Sequence, residues 1–169
     1  MDYILNRRSV REFDLTKKIS LADLKLLCKY AEAAPSARNQ KGREYIIVDD
    51  QNIINKLSTV SKGSMILSRC NTLIAVIGKP LESLSTPHML TQDLACAVEN
   101  ILLKATEMGY GSCYIGINPL EDRIVPCDEI LGVKGGAHTF ALIALGYCDK
   151  KEFYDKEKFD EALLHYNRY

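Results

Sequence analysis

The sequence predicts a three-layer fold in which a mixed sheet is covered by helices on both faces. Two apolar runs, residues 71–77 and 139–146, have the length and continuity of strands that are buried on both sides. Segments with a helical period separate the strands along the chain. This order favours a three-layer mixed sheet, although not a regular βαβ repeat.

The first third of the chain is predicted to hold two helices. Residues 2–6 suggest a short one. Ser20 and Asp23 have the spacing of a capping box, and the apolar residues after them recur at helical intervals, so a second helix should run to about Ala33. Pro35 is expected to stop this helix, since proline lacks the main-chain N–H that a helix interior needs.

The middle of the chain predicts two strands with a short helix between them. Residues 44–48 are β-branched and aromatic, which favours a strand, and Asp50 can cap a helix that ends near Leu57. The run 71–77 should be a central strand. The segment 79–88 is rich in Ser, Thr and Pro and has no periodicity, so we expect a mobile loop that borders a site.

The longest predicted helix covers residues 91–108 and stops at Gly109. Its apolar stripe is broad, and Ala95 and Ala97 are small enough to let another helix approach closely. Packing inside the core of one chain and packing across a dimer seam both explain this stripe.

The C-terminal part is predicted to form a strand at 112–117, a helix at 120–131 and the strand 139–146, followed by a charged tail. Asn118 should cap this helix, and Pro119 should be its first residue. A length of 169 residues suits one domain, so we expect a single domain over residues 1–169.

Composition excludes several classes of function. The 22 Lys and Arg residues balance 22 Asp and Glu residues, which argues against a nucleic-acid partner. The longest apolar run is far shorter than the roughly 20 residues of a membrane-spanning helix. The N-terminus also lacks the apolar core of a signal peptide. We therefore expect a cytoplasmic protein with no membrane association.

The cysteines and histidines do not suggest a metal site. The six cysteines contain no C-x-x-C pair, and the three histidines are scattered. Most cysteines lie inside apolar segments. We expect buried structural thiols in a reducing compartment and no bound metal.

Three short segments could carry chemistry. Residues 7–11 place three arginines and a serine within five residues, which suits a phosphate because guanidinium groups match phosphate oxygens, although a solvated basic patch explains the same run. Residues 35–40 offer polar groups for the edge of a planar ring, or form a turn that caps its own backbone. In residues 109–116, three glycines allow main chain to approach a flat ligand.

The motifs of side-chain catalysis are missing from the sequence. It contains no G-x-S-x-G, no H-E-x-x-H, and no carboxylate pair at an obvious spacing. An enzyme with this inventory would take its chemistry from an organic cofactor. We therefore name no catalytic side chain.

Five motifs in the right order resemble the nitroreductase family and span nearly the whole chain. The first is Arg7-Arg8-Ser9-Val10-Arg11, and with it comes Pro35-Ser-Ala-Arg-Asn39-Gln40. The later ones follow at 109–116, 130–133, 141–147 and the closing residues 165–169. The resemblance implies an α+β fold with a mainly antiparallel sheet, and an intertwined homodimer with two FMN sites at its interface.

The resemblance also implies roles for single residues. Arg7, Arg8 and Ser9 would bind the FMN phosphate and ribityl chain. Arg11 would lie near the pyrimidine edge of the ring, where a cation favours the charge of the reduced state. Ile115 and Gly116 would lie over the ring, where a main-chain N–H can reach N5.

The remaining expected contacts come from two other segments. Pro35, Ser36 and Asn39 match a segment that contacts the flavin from the other subunit. Lys156 or Lys158 stands where the family usually places a basic residue on the phosphate. Many relatives have Pro-Trp after the Asn-Gln pair, whereas this chain has residues 41–43, Lys-Gly-Arg.

The implied activity is that of an FMN-dependent oxidoreductase. It would take hydride from NADH or NADPH and pass two electrons by a ping-pong mechanism to a small-molecule acceptor such as a nitroaromatic or a quinone. Two alternatives stay open. One is an FMN-binding carrier or sensor with little turnover, and the other is a substrate-binding module without flavin.

Overall fold

The computed structural model describes residues 2–148 and 160–169, and it contains five α-helices and four strands among them. The helices are α1 (Tyr3–Asn6), α2 (Leu21–Glu32), α3 (Gln51–Ser58), α4 (Leu90–Glu107) and α5 (Glu121–Leu131). The strands are β1 (Arg43–Val48), β2 (Thr72–Gly78), β3 (Gly111–Gly116) and β4 (His138–Gly146).

The four strands form one sheet in the order β1-β2-β4-β3, and every neighbouring pair is antiparallel. The parallel pairing that the described residues contain is a single bridge between Ser9 and Ser112, at the outer side of β3. The expected α+β fold with a mainly antiparallel sheet is confirmed. The two outer strands are β1 and β3.

The apolar core lies in two layers, one on each face of the sheet. Helices α2 and α4 cover one face, and helices α3 and α5 cover the other together with a 3₁₀ segment at Gly63–Arg69. Strand β2 contributes to both layers because successive side chains of a strand point to opposite faces, and all seven of its residues are buried. The three-layer prediction is therefore confirmed.

The predicted helix ends are confirmed at three places. The hydroxyl of Ser20 accepts a hydrogen bond from the Asp23 N–H at 3.1 Å, and the carboxylate of Asp50 accepts one from the Asn52 N–H at 2.8 Å. Gly132 ends α5 with a φ of 72°, a left-handed conformation that glycine adopts at low cost.

The prediction that Asn118 caps α5 and that Pro119 begins it is wrong. The N–H of Asn118 donates to the carbonyl of Phe140, so this residue still pairs with the start of β4. The chain then turns through a cis peptide bond before Pro119, and α5 begins at Glu121 with Leu120 as its N-terminal cap.

The segment 79–88 is more regular than the sequence suggests. It contains a 3₁₀ turn at Leu81–Ser83 and the start of another at Pro87–Met89, which leads directly into α4. The side chain of Gln40 also binds the main chain of Thr86. The expected irregular loop is therefore a structured wall next to the end of β2.

The chain between α1 and α2 lies across two paired glycines of the sheet. Gly111 of β3 stands opposite Gly146 of β4. A Cβ atom at Gly111 would lie 2.9 Å from a methyl carbon of Val10, and one at Gly146 would lie 2.9 Å from the ring of Phe13. Two glycines therefore let the segment 9–14 lie directly against the sheet.

Three further expectations concern the burial of the cysteines, a metal site and a membrane-spanning helix. Cys70, Cys113 and Cys127 are buried as expected, but Cys96 is exposed on α4. In the part of the chain that the structure describes, no group of three metal-binding side chains comes together. Among residues 2–148 and 160–169, no helix combines the length and the apolar character that crossing a bilayer requires.

Candidate functional site

The arginine-rich segment follows α1 and runs along the outer side of β3. The N–H of Val10 donates to the carbonyl of Ser112 at 2.9 Å. One guanidinium nitrogen of Arg8 donates to the carbonyls of Leu5 and Arg7, and Arg11 donates to the carbonyl of Ser9 at 3.2 Å. These bonds are local, so they keep both guanidinium groups close to the main chain of their own segment.

Arg7 points to helix α4. Its Nε atom lies 3.1 Å from a carboxylate oxygen of Glu99, which makes an ion pair. The same buried Nε has no well-aligned hydrogen bond among the described residues, although the distance is short. The contact between Arg7 and Glu99 is therefore an ion pair without a well-aligned hydrogen bond.

Strand β3 presents one open edge. The carbonyl of Ser112 accepts from Val10 on the side away from β4, and main-chain groups alternate in direction along a strand. The N–H and carbonyl groups of Tyr114 and Gly116 therefore point to the same open side. Arg123 donates to the Gly116 carbonyl at 3.1 Å there.

Ile115 differs from Gly116 because its side chain is buried in the core layer that contains α5. Its side chain is 5% exposed, so only its main chain is available to a ligand. Of Ile115 and Gly116, Gly116 has an N–H on the open edge and no side chain that could keep a ligand away.

Two observations at the same edge suit a polar or anionic ligand. The hydroxyl oxygen of Ser112 is buried, and the described residues give it no hydrogen-bond partner. Burial raises the pKa of the Cys113 thiol, and the nearby Arg11 guanidinium partly opposes that rise. Because successive side chains of a strand point to opposite faces, the unpaired hydroxyl and the thiol near Arg11 lie on opposite faces of the sheet at this edge.

The loop that follows α2 has an unusual backbone. Arg38, Asn39 and Lys41 have positive φ angles of 50°, 54° and 47°. Such angles are uncommon for residues other than glycine, although asparagine tolerates them better than most. The Ser36 hydroxyl accepts from the Lys41 N–H at 3.1 Å, so the loop does cap its own backbone. Pro35 and Asn39 are exposed.

A buried carboxylate that sequence analysis missed fixes this loop. Asp93, in the first turn of α4, is 5% exposed. Its two oxygens accept from the Ala37 N–H at 2.9 Å and from the Gln40 side chain at 2.6 Å. One signal could have found it, namely an acidic residue on the otherwise apolar side of an amphipathic helix.

Arg43 ties the other end of the loop to α2. Its side chain is buried in β1, where it pairs with the Glu32 carboxylate at 3.1 Å and donates to the carbonyls of Glu32 and Ala34 at 2.8 Å. Arg43 belongs to the residues 41–43, at which this chain differs from many relatives. Its bonds hold the C-terminal end of α2 against β1.

The loop and the arginine-rich segment attach to different sides of α4. The loop binds Asp93, whereas Arg7 pairs with Glu99. Six helical residues correspond to about 9 Å along the axis and roughly a third of a turn around it. One chain therefore presents the two predicted halves of the site in different directions. Lys156 and Lys158 lie outside the described residues.

A cavity of about 260 Å³ lies where β2 ends and β4 begins. Apolar and polar side chains both line it. Its wall comes from the segment after β2, from the starts of α4 and β4, and from Asn118 just after β3. The lining residues include Lys79, Leu81, His88, Leu90, His138 and Phe140.

Comparison with known proteins gives a consistent result. A sequence model of the nitroreductase family matches residues 4–69 and 64–147. A protein of Archaeoglobus fulgidus, provisionally named NADH dehydrogenase/NAD(P)H nitroreductase, is 34% identical over 164 residues, which cover 96% of this chain and 94% of the relative.

Solved structures agree with the sequence matches. A provisionally named NADH oxidase from Clostridium acetobutylicum has 33% identity and a TM-score of 0.93, over 99% of this chain and 100% of the other. An FMN-dependent nitroreductase from Clostridium difficile R20291 has 25% identity and a TM-score of 0.89, over 99% of this chain and 98% of the other. By sequence and by fold, this chain belongs to the nitroreductase family.

Proposed function

We propose that this chain is an FMN-dependent oxidoreductase that uses NAD(P)H as its electron donor. The observation that carries the proposal is the open edge of β3, where Gly116 presents main-chain groups and the segment 7–11 brings arginines alongside. The family assignment supports the same activity. The relatives named above are an NAD(P)H nitroreductase and an FMN-dependent nitroreductase by name.

The residues at this edge fit FMN. A phosphate needs cationic donors, and Arg8 brings a guanidinium group to the segment beside β3. A ribityl chain carries hydroxyl groups, and Ser112, whose buried hydroxyl has no partner among the described residues, pairs through its main chain with Ser9. We propose Arg7, Arg8 and Ser9 as ligands of the phosphate and ribityl chain.

Two groups would tune the flavin ring. When bound, FMN supplies the N5 atom, which accepts hydride from NAD(P)H and passes electrons on. Arg11 would place a fixed positive charge near the pyrimidine edge, where it favours the anionic reduced state. The N–H of Gly116 lies on the open edge and would hold the ring in register, whereas Ile115 would contribute main chain only.

We propose that the donor and the acceptor use the same open face in turn, which is a ping-pong order. No side chain is required as acid or base in this scheme. Nitroaromatics and quinones suit it because a flat aromatic molecule can stack on a flat ring. The cavity at the end of β2, which Asn118 also lines, would receive the part of the acceptor that extends beyond the ring.

A second copy of the chain would complete the site. Because the loop and the arginine-rich segment attach to different sides of α4, we propose that Pro35, Ser36 and Asn39 reach the flavin of the partner. We propose a homodimer of single-domain chains over residues 1–169. Lys156 or Lys158 would add a contact to the phosphate.

The proposal is tested by the absorption spectrum of the purified protein with one equivalent of FMN. The spectrum is recorded without oxygen, before and after NADH and then NADPH. We expect bound flavin whose visible band disappears on adding one of these donors. Size measurement by light scattering in the same sample should give the mass of two chains.

The other outcomes are equally clear. Flavin that binds but keeps its colour with both donors would favour the carrier or sensor alternative. A protein that neither binds FMN nor gains thermal stability from it would contradict the flavin site. A monomer that binds FMN tightly would contradict the shared site.

A further inference from the structure

The strongest unassigned feature is the hydrogen-bond network of Asp93. Its carboxylate is buried, and the described residues give it hydrogen-bond donors but no ion pair. Buried carboxylates are rare unless their donors are well placed. Here one donor is the Ala37 N–H and the other is the Gln40 side chain, so both belong to the loop after α2.

Gln40 has only one possible orientation. Its oxygen accepts from the N–H and the hydroxyl of Thr86, at 2.9 Å and 3.0 Å. Its nitrogen donates to the Thr86 carbonyl at 3.1 Å and to Asp93 at 2.6 Å. A main-chain N–H can only donate and a carbonyl can only accept, so the amide cannot be reversed.

Position 93 must therefore supply two acceptors. Ala37 and Gln40 both direct fixed donors at it. The two oxygens of a carboxylate meet this need, whereas an asparagine would turn an NH₂ group against one of the donors. This requirement for two acceptors favours Asp over Asn at position 93, because main-chain groups set the direction of both donors.

We propose that Asp93 is a positioning residue that holds the loop 35–41 in its flavin-binding shape and joins it to the wall of the cavity through Thr86. The proposal rests on the proposed function, since it takes that loop to contact FMN. Three residues of the loop have left-handed backbone angles, which persist only where surrounding contacts compensate their cost. The bonds of Asp93 lie on both sides of Arg38 and Asn39 and provide that compensation.

The test is the FMN dissociation constant of Asp93→Asn, measured by quenching of flavin fluorescence. We expect an increase of about 10- to 100-fold, because the loop no longer presents Asn39 in one orientation. Visible circular dichroism of the bound flavin should also change, since it depends on the groups around the ring. General loss of stability would not alter this spectrum in the folded fraction.

Asp23→Asn is the matched control. Asp23 also lies in the first turn of a helix and accepts two side-chain hydrogen bonds, but its donors are the hydroxyls of Ser20 and Tyr110. Hydroxyls can rotate to accept instead of donating. We expect Asp23→Asn to bind FMN within about twofold of the unmodified protein.

A pair of complementary variants tests the direct link. Gln40→Glu alone would set two carboxylates 2.6 Å apart, whereas the double variant Asp93→Asn with Gln40→Glu restores a donor and an acceptor between positions 93 and 40. The new carboxylate faces the Thr86 carbonyl in both variants that carry it, so we expect the double variant to bind FMN more tightly than Gln40→Glu alone. A double variant that binds FMN no more tightly than Gln40→Glu would contradict the coupling.

Gln40→Met provides the test if Asp93→Asn does not fold. It keeps the Asp93 bond to Ala37 and removes only the bonds of the amide. We expect its FMN affinity to fall about 5- to 10-fold. Unmodified affinity in Gln40→Met, or in a folded Asp93→Asn, overturns the proposal. A parent protein that binds no FMN would instead refute the proposed function.

Discussion

The two predicted halves of the flavin site are built in opposite ways. In the loop 35–41, a buried carboxylate and a fully bonded glutamine fix the chain through donors that have one direction. In the segment 7–11, long exposed or half-buried arginines bond to nearby carbonyls. The first region fixes geometry, and the second region supplies charge.

This difference suggests a division of labour between shape and affinity. A planar ring is recognised by groups in fixed positions, and a rigid loop supplies them without losing entropy on binding. A phosphate is attracted from any side by flexible cations, which need less exact placement. We therefore expect changes at Arg7, Arg8 and Ser9 to act on phosphate affinity, and changes in the loop to act on the ring.

The largest effect is expected for Gly146→Val, which would push the segment 9–14 away from the sheet. The new side chain would meet Phe13, whose own Cβ would lie only 3.1 Å from the added Cβ, so the segment must move. We expect a loss of about 2–3 kcal/mol in the free energy of unfolding. Thermal and urea unfolding measure it, and FMN affinity should fall as well.

Gly63→Val is the control for that change. A Cβ at Gly63 has ordinary space around it, with its nearest neighbour at 3.7 Å. Equal destabilisation by both variants would show that the contact of the segment 9–14 with the paired glycines does not cause the loss of stability.

Arg8→Ala should separate phosphate affinity from ring affinity. Removing a charged donor is expected to weaken FMN binding by about 1.5–3 kcal/mol, which is roughly 10- to 100-fold. Riboflavin lacks the phosphate, so its affinity should stay unchanged. Lys25→Ala, at an exposed position of α2, is the control. An equal loss for both flavins would contradict a phosphate role for Arg8.

Arg11→Ala should act on the ring rather than on the phosphate. Loss of a positive charge near the pyrimidine edge disfavours the reduced anion, so the midpoint potential should fall by about 30 mV, equivalent to roughly 1.4 kcal/mol for two electrons. Arg11 is exposed and its hydrogen bond is local, so the fold should persist. Spectroelectrochemistry measures the potential, and an unchanged value would rule out this role.

The smallest effect concerns Asp23, whose donors can rotate. Hydrogen bonds from Ser20 and Tyr110 hold the pKa of this carboxyl below its ordinary value of 3.8. A depressed pKa gives stability that is present above about pH 4 and is lost as pH falls through the folded value. The stability difference between the parent and Asp23→Asn should shrink in acid. A difference that stays constant from about pH 6 down to about pH 2.5 would contradict this.

Much of the fold followed from local patterns. Continuous apolar runs predicted β2 and β4 within one residue, and capping residues such as Ser20 and Asp50 placed two helix starts. These signals are local because a cap or a buried strand depends on neighbouring residues. The motif at 7–11 was also visible, although its role is still a proposal.

The missing parts depend on contacts between distant segments. Asp93 meets the loop across more than fifty positions, so no local pattern could predict its partners. The start of α5 was misplaced because Asn118 bonds to Phe140, a residue of a later strand. The exposure of Cys96 likewise depends on which face of α4 meets the sheet.

The strand order also bears on how the chain folds. Among the described strands, no two neighbours are joined by a tight turn, and the central pair links Thr72 to Leu145 across α4, β3 and α5. Closing so long a loop costs entropy before its contacts repay that cost. We therefore expect the refolding rate to depend on when β2 meets β4. The helices can form before β2 pairs with β4.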